Sequence, residues 1–309
     1  MNCIKHLFLP LAVLLMFCTC NKQPEVVCPR ACSTDSLQHQ QKILLIGIDG
    51  CRSDALIQAN TPAIDGLMQQ GKYRLNVNRG AMYTVSGPGW SSMLTGVWPD
   101  KHGVVDNSYQ ADNYAAYPSF FCRVKTASPC YKVASIVHYK DLNDQIIEPC
   151  AADILLDYTK DILVAEAATN YVRDCDVDVL FVHLDDVDHA GHTSGFHPGV
   201  PAYIDAIEST DALLQPLLEA VYSREMNRNE DWLIIISTDH GGKIDGSHDN
   251  HPYDPEVTHV FSVFRKNNTN NKGPIPYDPS IVDIAPTILQ HLTIPIDSSW
   301  NIDGQAVSM

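Results

Sequence analysis

Four short apolar stretches, residues 42–50, 133–137, 177–184 and 232–237, recur along this 309-residue chain. Each is too short for a helix and lacks polar alternation, which is the pattern of a strand buried on both faces. A fifth, 260–264, reads as an edge or partner strand. Segments of helical period fill the gaps. Residues 61–70 open on Thr61-Pro62, a cap with proline in the first turn. Residues 151–173 and 202–225 are long and amphipathic, and 282–292 is the last. Strands alternating with helices predict an α/β fold of three layers, a mainly parallel central sheet flanked by helices. No repeat or linker interrupts 42–309, which reads as one domain. At 45% hydrophobic and 19% charged residues the chain has material for a sizeable core.

The first 41 residues read differently. A basic start (Met1 to Lys5) precedes an apolar run, 7–17, of signal-peptide length and too short for a comfortable membrane span. Residues 1–20 are therefore expected to be a secretory signal and 21–41 a polar tether. Cys20 is a candidate lipid anchor of the bacterial lipoprotein kind, with ordinary cleavage nearby as the alternative. Either way the chain is expected to be exported, to a periplasm or cell surface, where disulfides are permitted. The cysteines after Cys20 are odd in number, so at least one thiol stays free; Cys122 with Cys130 is a plausible local loop. The formal net charge of -16 argues against binding a nucleic-acid duplex. It does not exclude phosphate chemistry in a pocket where metal ions reverse the local sign.

Acids and histidines cluster where the strands end, which is where open α/β sheets collect ligands. Asp49 follows the first strand; Asp185, Asp186, Asp188, His189 and His192 follow the third; Asp239 and His240 follow the fourth; His248 and His251 sit in the next loop. Carboxylate with imidazole is the donor set of zinc and related divalent ions. Taken singly, an Asp after a strand reads as a helix cap and a His as an ordinary surface residue. Their joint placement at successive strand ends is what points to a metal centre. Residues 84–96 form a glycine- and serine-rich turn leading into a helix. Ser86 at its start would meet unpaired backbone N–H groups that favour a phosphate.

Here a resemblance enters. Ser86-Gly-Pro, Leu94-Thr95-Gly96, Pro99 and His102-Gly103-Val104 are similar to the nucleophile block of the alkaline phosphatase superfamily, in particular its type I phosphodiesterase and nucleotide pyrophosphatase branch. Gly47-Ile-Asp49-Gly resembles the first metal block, Asp188-His-Ala-Gly-His192 the second, and Thr238-Asp239-His240-Gly with Gly246-Ser-His248 the last. Asp283-Ile-Ala-Pro and Trp300-Asn-Ile-Asp-Gly304 also fit. The resemblance implies an alkaline phosphatase-like fold and two divalent metal ions, zinc by expectation. One would be held by Asp49, Asp239 and His240 and touch Ser86. The other would be held by Asp188, His192 and His248, with His251 the competitor for the last place. It further implies Ser86 as nucleophile, and Asn107 with a backbone N–H after Ser86 as donors to the phosphate oxygens. Asp186 would orient the ligating histidines. The implied activity is hydrolysis of phosphate diesters or pyrophosphates of small molecules, nucleotides or headgroups, through a phosphoserine.

Departures keep rivals open. Enzymes of this branch usually carry threonine where Ser86 stands. A formylglycine sulfatase would need an arginine where Trp90 stands. A phosphomonoesterase needs extra positive charge for its dianion. Lys140 offers one cation, yet Leu142 replaces the arginine expected two residues on, and Lys243 is the other candidate. An inactive metal-binding module is the remaining alternative. For the leaving group, Trp90, Tyr109, Tyr114, Tyr117, Phe120 and Phe121 are candidate pocket aromatics, against the reading of a loop packed on itself.

Overall fold

The computed structural model describes residues 26, 28, 29, 40–80, 83–147, 150, 152–267 and 269–309. The expected signal segment and Cys20 lie outside the described residues. The strands are β1 (Gln41–Ile48), β2 (Lys72–Asn78), β3 (Val133–Val137), β4 (Ile154–Asp157), β5 (Val179–Leu184), β6 (Asp231–Ser237), β7 (His259–Lys266) and β8 (Gly273–Pro274). They join in one sheet of order β4-β3-β5-β1-β6-β7-β2-β8. The five strands from β4 to β6 are mutually parallel, while β7 runs antiparallel to β6 and β2. Parallel strands need crossovers, and the helices supply them. These are α1 (Ser53–Gln58), α2 (Pro62–Gln70), α3 (Ser86–Thr95), α4 (Pro99–His102), α5 (Phe120–Ala127), α6 (Asp161–Asp174), α7 (Asp186–Ser194), α8 (Pro201–Arg228), α9 (Pro255–Thr258) and α10 (Ile284–His291). This is the alkaline phosphatase-like α/β sandwich expected of the sequence.

Period-2 alternation sorts the core. In β1, Leu44, Ile46 and Ile48 pack with α1, α2, α6, α7 and α8. Ile43 and Leu45 pack with α3, α5 and α10 on the other face. The central strands are buried throughout, which is why they read as unbroken apolar runs. Lys42 sits in that interior at 0% exposure because Asp178 (2.5 Å) and Asp176 (3.0 Å) hold its ammonium.

Three sequence readings are corrected. Residues 151–173 are not one helix: β4 comes first, and α6 starts only at Asp161. Ile154-Leu155-Leu156 suits either period, and parallel pairing with β3 decides for the strand. The aromatics weighed as a loop packed on itself are not all in a loop: Phe120 and Phe121 open α5. Cys122 pairs with Cys150, not Cys130, and Cys130 is itself disulfide-bonded elsewhere. Cys28 is bonded to Cys175, so the polar tether is pinned to the end of α6. Among the described residues the free thiol is Cys51, which is buried.

His102 ties α4 to α3. Its Nδ1 accepts the Val104 backbone N–H (3.1 Å), so the ring proton rides on Nε2 and is donated to Ser92 Oγ (3.0 Å). A second proton would have to enter against that N–H in a site with 0% exposure, and burial pulls the imidazole down to about 4. The unfolded chain takes up that proton near pH 6.5. Stability from this site is therefore complete above pH 6.5 and lost between pH 6.5 and about 4, by about 3 kcal/mol in all. Urea unfolding of wild type and His102→Gln should show a shallower acid loss in the variant; parallel curves would refute the assignment.

Candidate metal centre and active site

The candidate ligands are placed by neighbouring strands. Asp49 lies just past β1, His183 near the end of β5 and Asp239 just past β6, the three central strands. On each the odd-numbered residues face α3, so the alternation that builds the core also aims these side chains at one place. Gly50 turns the chain after Asp49 with φ of +63°. A Cβ there would lie 2.5 Å from Asp188 Oδ1, so glycine lets the two carboxylate-bearing segments approach.

Two overlapping clusters result. Asp49, Asp239 and His240 form one; Asp188, His192 and His248 form the other. Within each, the donor atoms lie within 4.8 Å of one another. Ser86, the first residue of α3, joins the first: its Oγ lies 3.5 Å from Asp49 Oδ1 and 3.3 Å from His240 Nε2. His248, not His251, completes the second; His251 instead contacts Ser247 Oγ at 3.2 Å.

The chemistry of these donors fits a cation. His240, His192 and His248 each direct Nδ1 to a backbone carbonyl, of Gly241 (2.8 Å), Gly246 (2.9 Å) and Thr84 (2.8 Å). A carbonyl only accepts, so each Nδ1 carries the proton and each Nε2 presents a lone pair. The Nε2 atoms of His192 and His248 then face each other at 3.1 Å. Two lone pairs so close repel unless a cation shares them. Asp188 Oδ1 and Asp239 Oδ2 are buried with no hydrogen-bond partner among the described residues, a costly state that a divalent ion relieves.

Electrostatics agrees. Burial, with repulsion from Asp49 and Asp185, pushes Asp188 up to about 9. Burial and Asp49 likewise raise Asp239 well above the carboxylate range, only partly offset by Arg79. Burial and then the neighbouring His240 pull His248 down to about 3, keeping it neutral. Asp49 is held well below the ordinary range: burial opposes its charge, but the hydrogen bond that His183 donates to it outweighs that cost.

Other expected contributors fall elsewhere. Asn107 is beside the nucleophile, but its Oδ1 accepts the Gly87 N–H (2.7 Å). The backbone N–H after Ser86 is thus spent on Asn107, and the Asn107 NH2 is the group left to meet a phosphate oxygen. Asp186 is 54% exposed and 3.9 Å from His138; backbone carbonyls, not Asp186, orient the imidazoles of the two candidate ligand clusters. His189 is exposed. Asp185 is half-buried within reach of Asp49 and His183. Lys140 pairs with Asp144 at the surface, and Leu142 is fully buried. Lys243 is paired with Asp254 and with Glu256 (2.7 Å). Among the aromatics, Trp90, Phe120 and Phe121 are at 0% exposure and Tyr109 at 4%, so they are core; Tyr114 and Tyr117 are half-buried.

Four residues support the site in roles that the sequence reading did not give them. Trp90 Nε1–H (2.9 Å) and His183 Nε2–H (3.1 Å) both donate to Asp49 Oδ2. Asp161, at 0% exposure, accepts the backbone N–H groups of Asp185 (2.9 Å) and Asp186 (2.9 Å) and so anchors the start of α7, which carries Asp188 and His192. Arg79 donates Nε–H to the Asp239 carbonyl (2.7 Å). His183 was visible as a histidine within an apolar strand; Asp161 and Arg79 left no local signal.

Comparison with known proteins agrees with this geometry. Residues 43–129 match the family Type I phosphodiesterase / nucleotide pyrophosphatase, and residues 132–296 match the Metalloenzyme superfamily. A 2,3-bisphosphoglycerate-independent phosphoglycerate mutase of Haloquadratum walsbyi is 32% identical over 133 residues, 42% of this chain and 24% of that protein. GPI ethanolamine phosphate transferase 3 of Schizosaccharomyces pombe is 25% identical over 166 residues, 52% of this chain and 17% of that protein. The chain thus spans under a quarter of the length of the curated relatives it matches. Among solved structures, murine ectonucleotide pyrophosphatase / phosphodiesterase 5, an inactive threonine-to-alanine form in complex with AMP, aligns with a TM-score of 0.62 at 16% identity, covering 87% of this chain and 97% of that one. The human protein gives 0.65 at 15%, covering 83% and 96%. A 2-O GAG sulfatase, BT1596, gives 0.66 at 13%, covering 87% and 73%. At such identities these structures share the fold alone. With residues 132–296, more than half its length, matched to it, the chain belongs to the Metalloenzyme superfamily and has the alkaline phosphatase-like fold, and its residues 43–129 match the Type I phosphodiesterase / nucleotide pyrophosphatase family.

Proposed function

We propose that this chain hydrolyses phosphate diesters or pyrophosphates of small molecules through a phosphoserine at Ser86, using two divalent ions, zinc in the first instance. The observation that carries this reading is the placement of Ser86 Oγ at a helix start, 3.5 Å from Asp49 Oδ1 and 3.3 Å from His240 Nε2.

Asp49, Asp239 and His240 would hold one ion beside Ser86, and Asp188, His192 and His248 the other. When bound, such a pair stabilises the attacking and leaving oxygens of an in-line displacement. The remaining steps belong to the chain. Ser86 Oγ, held at the start of α3, gives up its proton to solvent and attacks phosphorus to form the phosphoester. The P–O bond to the leaving group breaks on the opposite side, and the departing alkoxide takes up a proton from water, or departs as phosphate where the substrate is a pyrophosphate. The α3 terminus favours the negative charge gathering there. The Asn107 NH2 donates to a non-bridging oxygen. Water then releases phosphate or a phosphomonoester and restores the serine.

Diesters and pyrophosphates are favoured over monoesters by charge. A monoester brings a second negative charge, and among the described residues the nearby cations are committed. Lys140 and Lys243 are paired with acids, and Arg79 is 2% exposed under Asp239. AMP in the murine neighbour supports a nucleotide-type substrate. A formylglycine sulfatase is disfavoured because its arginine is replaced by Trp90, which is buried in the core. Export, and anchoring through Cys20, remain part of the proposal; the Cys28–Cys175 and Cys122–Cys150 disulfides support an oxidising compartment.

Bis-p-nitrophenyl phosphate should be cleaved faster than p-nitrophenyl phosphate and p-nitrophenyl sulfate, and a chelator should abolish the activity. Ser86→Ala should lower turnover by at least about three orders of magnitude while the protein remains folded; substantial residual activity would remove Ser86 from its role. Faster cleavage of the monoester would make the enzyme a phosphatase.

Metal loading should also release protons. Asp188, pushed up to about 9, is protonated in the metal-free protein near neutral pH and must lose that proton to bind a cation. Calorimetric zinc titrations in two buffers of different ionisation enthalpy should show at least one proton released near neutral pH, fewer at higher pH. Buffer-independent heats would show that the ion binds elsewhere.

A further inference from the structure

The two oxygens of Asp49 are treated differently by the fold. Oδ1 faces Ser86 Oγ and His240 Nε2. Oδ2 takes the indole N–H of Trp90 at 2.9 Å and the imidazole N–H of His183 at 3.1 Å. The tautomer of His183 is set from behind. The Tyr139 backbone N–H points at its Nδ1 (3.4 Å), which leaves the proton on Nε2, toward Asp49. The two donors also brace each other, with ring centroids 4.9 Å apart and planes at 79°. Both rings are fully buried.

The sequence makes room for this arrangement. A Cβ at position 47 would lie 2.3 Å from the Trp90 ring, so Gly47 is the notch in β1 that admits the indole. Trp90 stands one turn beyond Ser86 on α3, hence on the same face of that helix. One helix thus carries both the nucleophile and a group that orients the carboxylate beside it.

We propose that Trp90 and His183 are positioning residues that make Asp49 a one-oxygen ligand, holding Oδ2 so that Oδ1 alone meets the cation next to Ser86. The terminal torsion of an aspartate is soft, and without these donors the carboxylate is free to turn and offer both oxygens. The ion site then moves relative to Ser86. The catalytic half of this inference rests on the proposed phosphoserine chemistry; the metal-holding half does not.

The test uses the full chain and zinc alone, titrated against a chromophoric chelator. Trp90→Phe and His183→Phe keep an aromatic ring and delete one N–H. His183→Gln keeps an N–H near the place of Nε2. Both phenylalanine variants should weaken one zinc site ten- to a hundredfold and leave the other unchanged. His183→Gln should recover most of that loss. On bis-p-nitrophenyl phosphate, kcat should fall in the phenylalanine variants with KM little changed. If Trp90→Phe does not fold, the Phe and Gln pair at position 183 decides. Wild-type affinity at both zinc sites in a folded phenylalanine variant, even one with a lowered Tm, would reduce the pair to core packing and overturn the proposal. If zinc affinity shifts as expected but the wild-type protein cleaves no phosphoester, the positioning role stands and the proposed activity falls.

Discussion

Everything at the carboxyl edge of this sheet is organised around one electrostatic problem. Asp49, Asp239 and Asp188 converge with three imidazole nitrogens whose lone pairs point inward. Nothing within the described protein neutralises them. Arg79, the one cation held against the cluster from beneath, spends its Nε on a carbonyl and leaves Nη1 unpaired. Left alone, such a cluster must take up protons, as the raised Asp188 and Asp239 indicate, or bear the repulsion. A divalent cation bound in each half would remove the conflict, and its binding energy would then also be folding energy.

The fold tolerates this because the strain sits where backbone is already well satisfied. β5, β1 and β6 are hydrogen-bonded on both sides and buried on both faces, so their ends are fixed in register. Side chains just beyond them inherit that precision. The supports reach in from elsewhere: Asp161 from the start of α6 to the start of α7, Trp90 from α3, and the carbonyls of the loops after β2 and β6. A 1 Å error in any of them would matter more than a similar error in the core, because the donors act on a shared ion and not pairwise.

What could be read from the sequence, and what could not, follows from range. The strands ending in Asp49, His183 and Asp239 were legible because burial on both faces erases polar alternation. The ligand blocks were legible because their spacing is local: Asp188 and His192 are one helical turn apart, and Asp239 and His240 are adjacent. β2 was missed because its Lys-Tyr-Arg-Leu-Asn pattern is mixed and half-exposed. β4 was taken for helix because three apolar residues satisfy both periods until β3 pairs with them. Asp161 and Trp90 were illegible as supports, since what they hold lies 24 and 41 residues away along the chain. Trp90 was weighed only as a pocket aromatic and as the residue in place of an arginine, whereas its indole N–H points inward to Asp49.

That substitution links structure to substrate choice. In this chain the position four residues beyond Ser86 holds a neutral donor turned toward Asp49 in the candidate metal site, not a cation. Lys140 and Lys243 are likewise drawn off by Asp144, Asp254 and Glu256. On the proposed function, positive charge for the substrate would then come almost wholly from the bound ions. A diester carries one negative charge and is matched by such a site. A dianion would leave a charge facing Asp49, Asp188 and Asp239 with little beyond the ions to balance it. On the proposed function, the same shortage of cations that favours metal binding here would therefore bias which phosphoester the site can serve.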